Sequence, residues 1–311
     1  MAWSAPIYVY LWLAGMAGGA YFAAFIADRF TGGGNRQLFR LATYLGIPMA
    51  VIGVILLIVD LGKPIRFWHL LTEFNVSSPM SMGTWILFAW VLIAVVLAVI
   101  WWSERFFDRG MPRSLQRLTS FLGGINVIFA ALLMTYTGVL LAVSNQSLWA
   151  GSVLLPSLFV ASAISTGIAI LIVGAMITNA STEVRLALNQ CSRASDWTIS
   201  NRTIVRLAEA DAGVIVIELL ALVGYAVWLA NSSMAGASEG LSILLNGSLA
   251  APFWIGVVLL ALLIPLWLDI ANWGKQIGSN KRVAMVIASS SLCVIIGGLI
   301  LRAVITIGGQ S

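Results

Sequence analysis

The sequence predicts an all-α, polytopic membrane protein, and three observations carry that reading. Charged residues make up 9% of the chain and hydrophobic residues 60%, whereas a soluble domain is about 25% charged. Apolar runs of about 20 residues, enough to cross about 30 Å of hydrocarbon at 1.5 Å per residue, recur along the whole length. Basic residues are confined almost entirely to alternate loops between those runs.

Eight spans are expected, at about residues 6–27, 41–59, 83–102, 118–142, 153–178, 212–230, 252–271 and 283–306. They leave no room for a soluble domain, so residues 1–311 read as one integral membrane unit. The first span, within MAWSAPIYVYLWLAGMAGGAYFAAFIAD, lacks the basic n-region and small-residue cleavage site of a secretory signal and is expected to stay in place. Its Gly15, Gly18 and Gly19, with Gly123 and Gly124 in the fourth span and Gly297 and Gly298 in the eighth, suit close backbone approach between helices.

The second span ends at Asp60 and is followed by DLGKPIRFWHLL, a proline-initiated amphipathic segment holding His69. The fourth carries Tyr136 near its end, and the fifth opens at LPSLF. The polar gap 179–211, with Arg185, Arg193, Arg202 and Arg206, reads as a short helical hairpin or surface loop. The sixth span opens at Asp211 and contains Glu218, the seventh ends at Asp269, and the eighth contains Arg302. Spans 1–4 and 5–8 are expected to form two four-helix bundles, although the halves share no sequence repeat.

Of the 17 Lys and Arg residues, fourteen lie after odd-numbered spans: Arg29, Arg36, Arg40; Arg105, Arg109, Arg113, Arg117; Arg185, Arg193, Arg202, Arg206; Lys275, Lys281, Arg282. The opposite loops hold only Lys63 and Arg66. The positive-inside rule makes the rich loops cytoplasmic, and both termini then face outward, along with loops 60–82, 143–152 and 231–251. The net charge of +5 therefore reports topology rather than nucleic-acid binding. Many of the 13 tryptophans sit near span ends, as in an aromatic belt, while Trp68 and Trp149 lie in outward loops and could pack on a partner.

Several chemistries are disfavoured. His69 is the one histidine, so no bis-histidine haem site can form. Cys191 and Cys293 sit apart, with neither CxxC nor CxxCH, which leaves disulfide pairing, iron-sulfur and c-haem ligation unsupported. Ionisable side chains at membrane depth are costly and usually pair, face a cavity or relay protons. Asp211 and Glu218, seven residues apart, share a helix face two turns apart, as a proton wire would. Glu218, between AGVIVI and LLALVGYAVWLA, is the hardest to read as structural; Asp211 also suits a helix start and Asp269 also suits headgroup contact. Arg302 needs a counter-charge that the sequence does not identify. Tyr136 reads equally as an interface anchor or as a hydrogen-bond donor to a quinone carbonyl. His69 reads as an interfacial polar residue, a partner contact or a proton relay.

Several segments together resemble the NrfD/PsrC family, the membrane subunits of polysulfide-reductase and nitrite-reductase-type complexes. They are IYVYLWLAGMAGGAY, DLGKPIRFWHLL with SPMSMGTWIL, YTGVLLA with SLW, LPSLFVASAISTGIA and the terminal LRAVITIGGQ, in order along nearly the whole chain. The resemblance implies a cofactor-free anchor in a bacterial or archaeal cytoplasmic membrane. It would bind menaquinone or ubiquinone near the periplasmic face and exchange electrons with a ferredoxin-like iron-sulfur subunit, which serves a molybdopterin catalytic subunit. It further implies that Tyr136, in the YxG segment, holds the quinone headgroup. Polar residues of the first helix line the family's pocket, and here Tyr8 and Tyr10 stand there, where relatives have other polar residues; Tyr10 is taken for the site. Asp60, in the DLGKP motif, is assigned to proton exchange with the quinone. Arg206 and Asp269 are assigned to a proton route, to which the bottom-up reading adds Asp211 and Glu218. Arg66, Trp68 and His69 are assigned to partner docking. Two rivals stay open: a secondary transporter, disfavoured because inverted repeats are absent, and a purely structural anchor.

Overall fold

The computed structural model describes residues 5–60, 72, 78–104, 112–143, 152, 154–187, 198–232, 237–275, 277 and 281–310. Among these the helices are α1 (Ala5–Phe30), α2 (Arg36–Asp60), α3 (Pro79–Ser103), α4 (Arg113–Ala142), α5 (Leu154–Ala187), α6 (Asn201–Asn231) and a short α7 (Ala237–Leu245). A π-helical segment, Pro252–Leu263, then runs into α8 (Ile264–Ala271), and α9 (Lys281–Gly308) follows. Eight of these segments, counting the π segment with α8 as one span, are long and apolar enough to cross a membrane, as expected. Several overrun the apolar runs: α5 continues to Ala187 and α6 begins at Asn201. The polar turns at those ends, such as NRTIVRLAEAD, keep a helical register beyond the apolar stretch, and hydropathy alone does not register that.

Two helices form the centre. In the most apolar stretch of α1, 67% of residues are buried, and in α5 72%, against 28% in both α2 and α3. Small residues make this possible. Gly19 lies so close to α5 that a Cβ there would sit 1.8 Å from the Ala163 carbonyl oxygen, and one at Gly167 would sit 2.2 Å from the Ala20 nitrogen. Without a hydrophobic drive between helices in lipid, such backbone proximity supplies van der Waals contact that larger side chains would prevent. Contacts run within α1–α4 and within α5–α9, and also between the two sets, where α5 packs on α1 and α4, and α9 on α1.

The arginine-bearing end is laced together by polar side chains. The turn between α1 and α2 uses Gly32 and Gly33 at φ 63° and 90°, a left-handed backbone that glycine adopts without steric cost. Asn35 in that turn donates its backbone N–H to Asp28 (3.2 Å) and accepts from Thr203 of α6 (2.9 Å). Asn179 both donates to and accepts from the Ile199 backbone at 2.8 Å, clasping α5 to the start of α6. Asn201 donates to Ile277 O, and Gly274 N donates to Glu209. Nearby, Arg40 pairs with Glu104 and lies 5.6 Å over the Trp101 ring.

The π segment has a local cause. Pro265 has no N–H to donate four residues back, and just before it Ile264 N–H donates to Leu259 O, five residues back. π-Helical turns are uncommon and often sit at functional sites. Here the segment leads directly to Asp269.

Candidate functional site

Two polar sites occupy this apolar scaffold. The first lies towards the end of the molecule opposite the arginine-bearing turns. Tyr10 of α1 and Tyr136 of α4 are buried, at 2% and 9% exposure, and their phenols are within electrostatic range of each other. Glycines make the room. Tyr10 packs on Gly53 of α2, where a Cβ would lie 3.1 Å from Tyr10 Cδ2. Tyr136 lies over Gly83 of α3, where a Cβ would fall 1.8 Å from Tyr136 Cζ. Asp60 closes α2, half-buried, seven residues past Gly53, or about 10 Å further along the axis.

Gly83→Ala is therefore expected to expel the Tyr136 ring. Overpacking of this kind costs about 1–3 kcal/mol, and a thermal melt of the purified variant in detergent checks it. An unchanged melting temperature would mean that Tyr136 can occupy another rotamer at no cost.

The second site is a column of ionisable and hydroxyl side chains between α5, α6, α8 and α9. Arg302 is fully buried. Its Nη1 donates to the Gly298 carbonyl at 3.0 Å and to Ser162 Oγ of α5 at 3.3 Å. The guanidinium carbon stands 5.5 Å from the centre of the Phe159 ring, and Nη2 abuts Gly15 of α1, where a Cβ would lie 2.8 Å away. Ser162 also faces the Glu218 carboxyl, so one hydroxyl stands between the cation and an anion that interact electrostatically. One helical turn along α5, Ser165 faces Asp211, and Ser290 of α9 faces Asp269. Asp211, Glu218 and Asp269 are each at most 6% exposed.

The geometry orders these groups in depth. Asp211 and Glu218 are separated by about 10.5 Å along α6, and Asp269 lies at the arginine-bearing end of α8. Gly15, which touches Arg302, is five residues from Tyr10 on α1, about 7.5 Å along the axis. Polar groups thus follow one another from the phenol pair through Arg302, Ser162 and Glu218 to Asp211 and Asp269. Alongside, an apolar groove of about 480 Å³ opens between α4, α5 and α6, lined by Thr135, Pro156, Ser157, Val160, Ile164 and Ile217. Thr135 precedes Tyr136, and Ile217 precedes Glu218.

The structure thus brings together Tyr10 with Tyr136, and Asp211, Glu218 and Asp269 with one another. Arg206 lies on the exposed face of α6, outside the buried column. Arg66, Trp68 and His69 lie outside the described residues. The sequence reading did not single out Ser162, Ser165, Ser290, Gly53 or Gly83. The two α5 serines carried a signal, since hydroxyls at i and i+3 in an otherwise apolar run share a helix face.

Comparison with known proteins places the chain in a family. Residues 1–311 match the family profile described as Polysulphide reductase, NrfD. The sequence is 28% identical over 322 residues to the C subunit of polysulfide reductase from Wolinella succinogenes, an alignment that takes in 100% of this protein and 95% of that one. It is 26% identical over 330 residues to protein NrfD of Escherichia coli K12, with the same coverage of both. A more distant relative is the Hdr-like menaquinol oxidoreductase integral membrane subunit of Archaeoglobus fulgidus, 21% identical over 164 residues, 53% of this protein and 39% of that one. With eight candidate spans and a match that runs through all 311 residues, this multi-pass membrane protein belongs to the polysulphide reductase, NrfD family.

Proposed function

We propose that the protein is the quinone-reactive membrane subunit of a respiratory oxidoreductase complex in a bacterial or archaeal cytoplasmic membrane. It exchanges electrons between the quinone pool and a periplasmic ferredoxin-like iron-sulfur subunit, which passes them to or from a molybdopterin catalytic subunit. The observation that carries this reading is the buried Tyr10–Tyr136 pair, opened by Gly53 and Gly83 and continued by a column of carboxyls and hydroxyls. Family membership supports it, as do the names of a polysulfide reductase subunit and a menaquinol oxidoreductase membrane subunit among the relatives.

The residue roles follow from chemistry. A quinone carbonyl accepts hydrogen bonds and a quinol hydroxyl donates them, and a phenol can do either. Tyr136 and Tyr10 hold the headgroup oxygens, and Asp60 exchanges a proton with them. The apolar groove beside Thr135 suits an isoprenoid tail. Oxidation of a quinol releases two electrons and two protons; the electrons leave through the partner's clusters, and the protons need ionisable groups such as Glu218, Asp211 and Asp269. The redox step belongs to the quinone and the clusters, while the protein supplies binding, orientation and proton handling. By the positive-inside rule the arginine-bearing end is cytoplasmic, so the phenol pair lies on the partner side.

The test is binding of a quinone analogue to the purified protein, wild type against Tyr136→Phe and Asp60→Asn, with an optical scan for haem. Saturable binding without a Soret band is expected. Loss of one hydrogen bond is worth about 1 kcal/mol, or roughly fivefold in Kd for Tyr136→Phe. No binding by folded wild-type protein would overturn the assignment.

A further inference from the structure

Among the described residues, the buried charged side chains are Asp211, Glu218, Asp269 and Arg302. All four fall in one column, so the interior carries three acids and one base. Ions inside a membrane protein are stable only when compensated. Ionising all three carboxyls would leave two uncompensated negative charges in a region that water does not screen.

The groups around the column settle how the charge divides. From α5 come Ser162, Ser165 and Thr166, with Thr166 turned back on its own helix by a 2.7 Å bond to Ser162 O. From α9 come Ser290 and Arg302, whose Nε and Nη2 have no hydrogen-bond partner among the described residues. From α1 comes Gly15. Beyond the column, Arg206 is exposed, Glu209 accepts from Gly274 N, and Lys275 Nζ donates to Ala271 O. Glu218 shares Ser162 with the guanidinium. Asp211 and Asp269 face serine hydroxyls and one another electrostatically.

We propose that the column is a resting store of two protons, held as carboxylic acids on Asp211 and Asp269, with Glu218 ionised against Arg302. The store's existence is independent of the quinone assignment; only its use rests on the proposed function. Two is also the number of protons that one quinol oxidation releases, so the store matches the proton count of a single turnover.

Infrared spectroscopy of the purified protein at neutral pH, in water and in heavy water, tests this. The exchange-sensitive carbonyl stretch of protonated carboxyls is expected at an intensity of two per protein molecule. Asp211→Asn or Asp269→Asn halves it. Glu218→Gln also halves it, because one aspartate must then ionise against Arg302. Arg302→Met raises it by half, as Glu218 takes up a proton. Wild-type protein without the band overturns the store even if no variant folds, and a band insensitive to Arg302→Met in folded protein overturns the charge rule. Two protons per molecule in a protein that binds no quinone analogue would leave the store standing and remove its proposed use.

Discussion

Arg302→Met is expected to destabilise the protein by about 3 kcal/mol, the low end of the 3–5 kcal/mol typical when one member of a buried charge pair is removed. The low end applies because Glu218, left without its cation, can neutralise itself by taking a proton. The double variant Arg302→Met with Glu218→Gln removes both charges and is expected to recover most of the loss, since replacing a whole buried pair is often close to neutral. Thermal unfolding of the two variants in one detergent, followed by circular dichroism, makes the comparison. A double variant no more stable than the single one would assign the value of Arg302 to its packing on Phe159 and Gly15 instead of to its charge.

Gly19→Leu is expected to have the other large effect. Even a methyl group at this position would meet backbone, with Ala163 O at 1.8 Å and Ala163 C at 2.6 Å, and backbone cannot rotate aside as a side-chain tip can. The helices α1 and α5 must then separate along their whole seam, which also loosens Gly15 against Arg302. Overpacking costs about 1–3 kcal/mol for a methylene or two, and this substitution adds more against a rigid neighbour, so little monodisperse protein should survive gel filtration. Gly124→Ala is the control. Nothing lies within 4 Å of a Cβ there, and alanine is the better helix former by about 1 kcal/mol. Equal yields from both variants would show that the α1–α5 seam has slack.

Much of this is legible in the sequence. Apolar length alone located all eight spans, because a lipid-crossing helix satisfies every backbone group internally and must be about 20 residues long. The seven-residue spacing of Asp211 and Glu218 gave their shared face, because helical periodicity is local. What stayed hidden depends on which helices touch. Nothing in LRAVITIG says that Arg302 meets Ser162, 140 residues away in sequence, and nothing in SMGTW says that Gly83 is the floor beneath Tyr136. The short α7 in the connection before the seventh span was equally hidden, since ASEGLSILL is too short to stand out by hydropathy. The π segment was hidden for a different reason: Pro265 signals a disturbed ladder, but only coordinates show that the disturbance is absorbed by widening the preceding turns.

The central place of α1 has a consequence for how the protein is made. Its closest backbone neighbour is α5, and Arg302 of the last helix lies against its Gly15, so the first of these helices to leave the ribosome completes its surroundings last. Polypeptides grow at about 5–20 residues per second, and Gly15 therefore waits on the order of tens of seconds for the guanidinium that covers it. Throughout that interval the glycine seam of α1 is open to any other helix of the translocating membrane, and in its last part, while the residues between Glu218 and Arg302 are made, Glu218 stands in the bilayer without its cation. The last turns of α9 thus act as the clasp of the whole molecule: a polypeptide cut short before Arg302 keeps seven spans and most of the eighth, but not the counter-charge on which its interior depends.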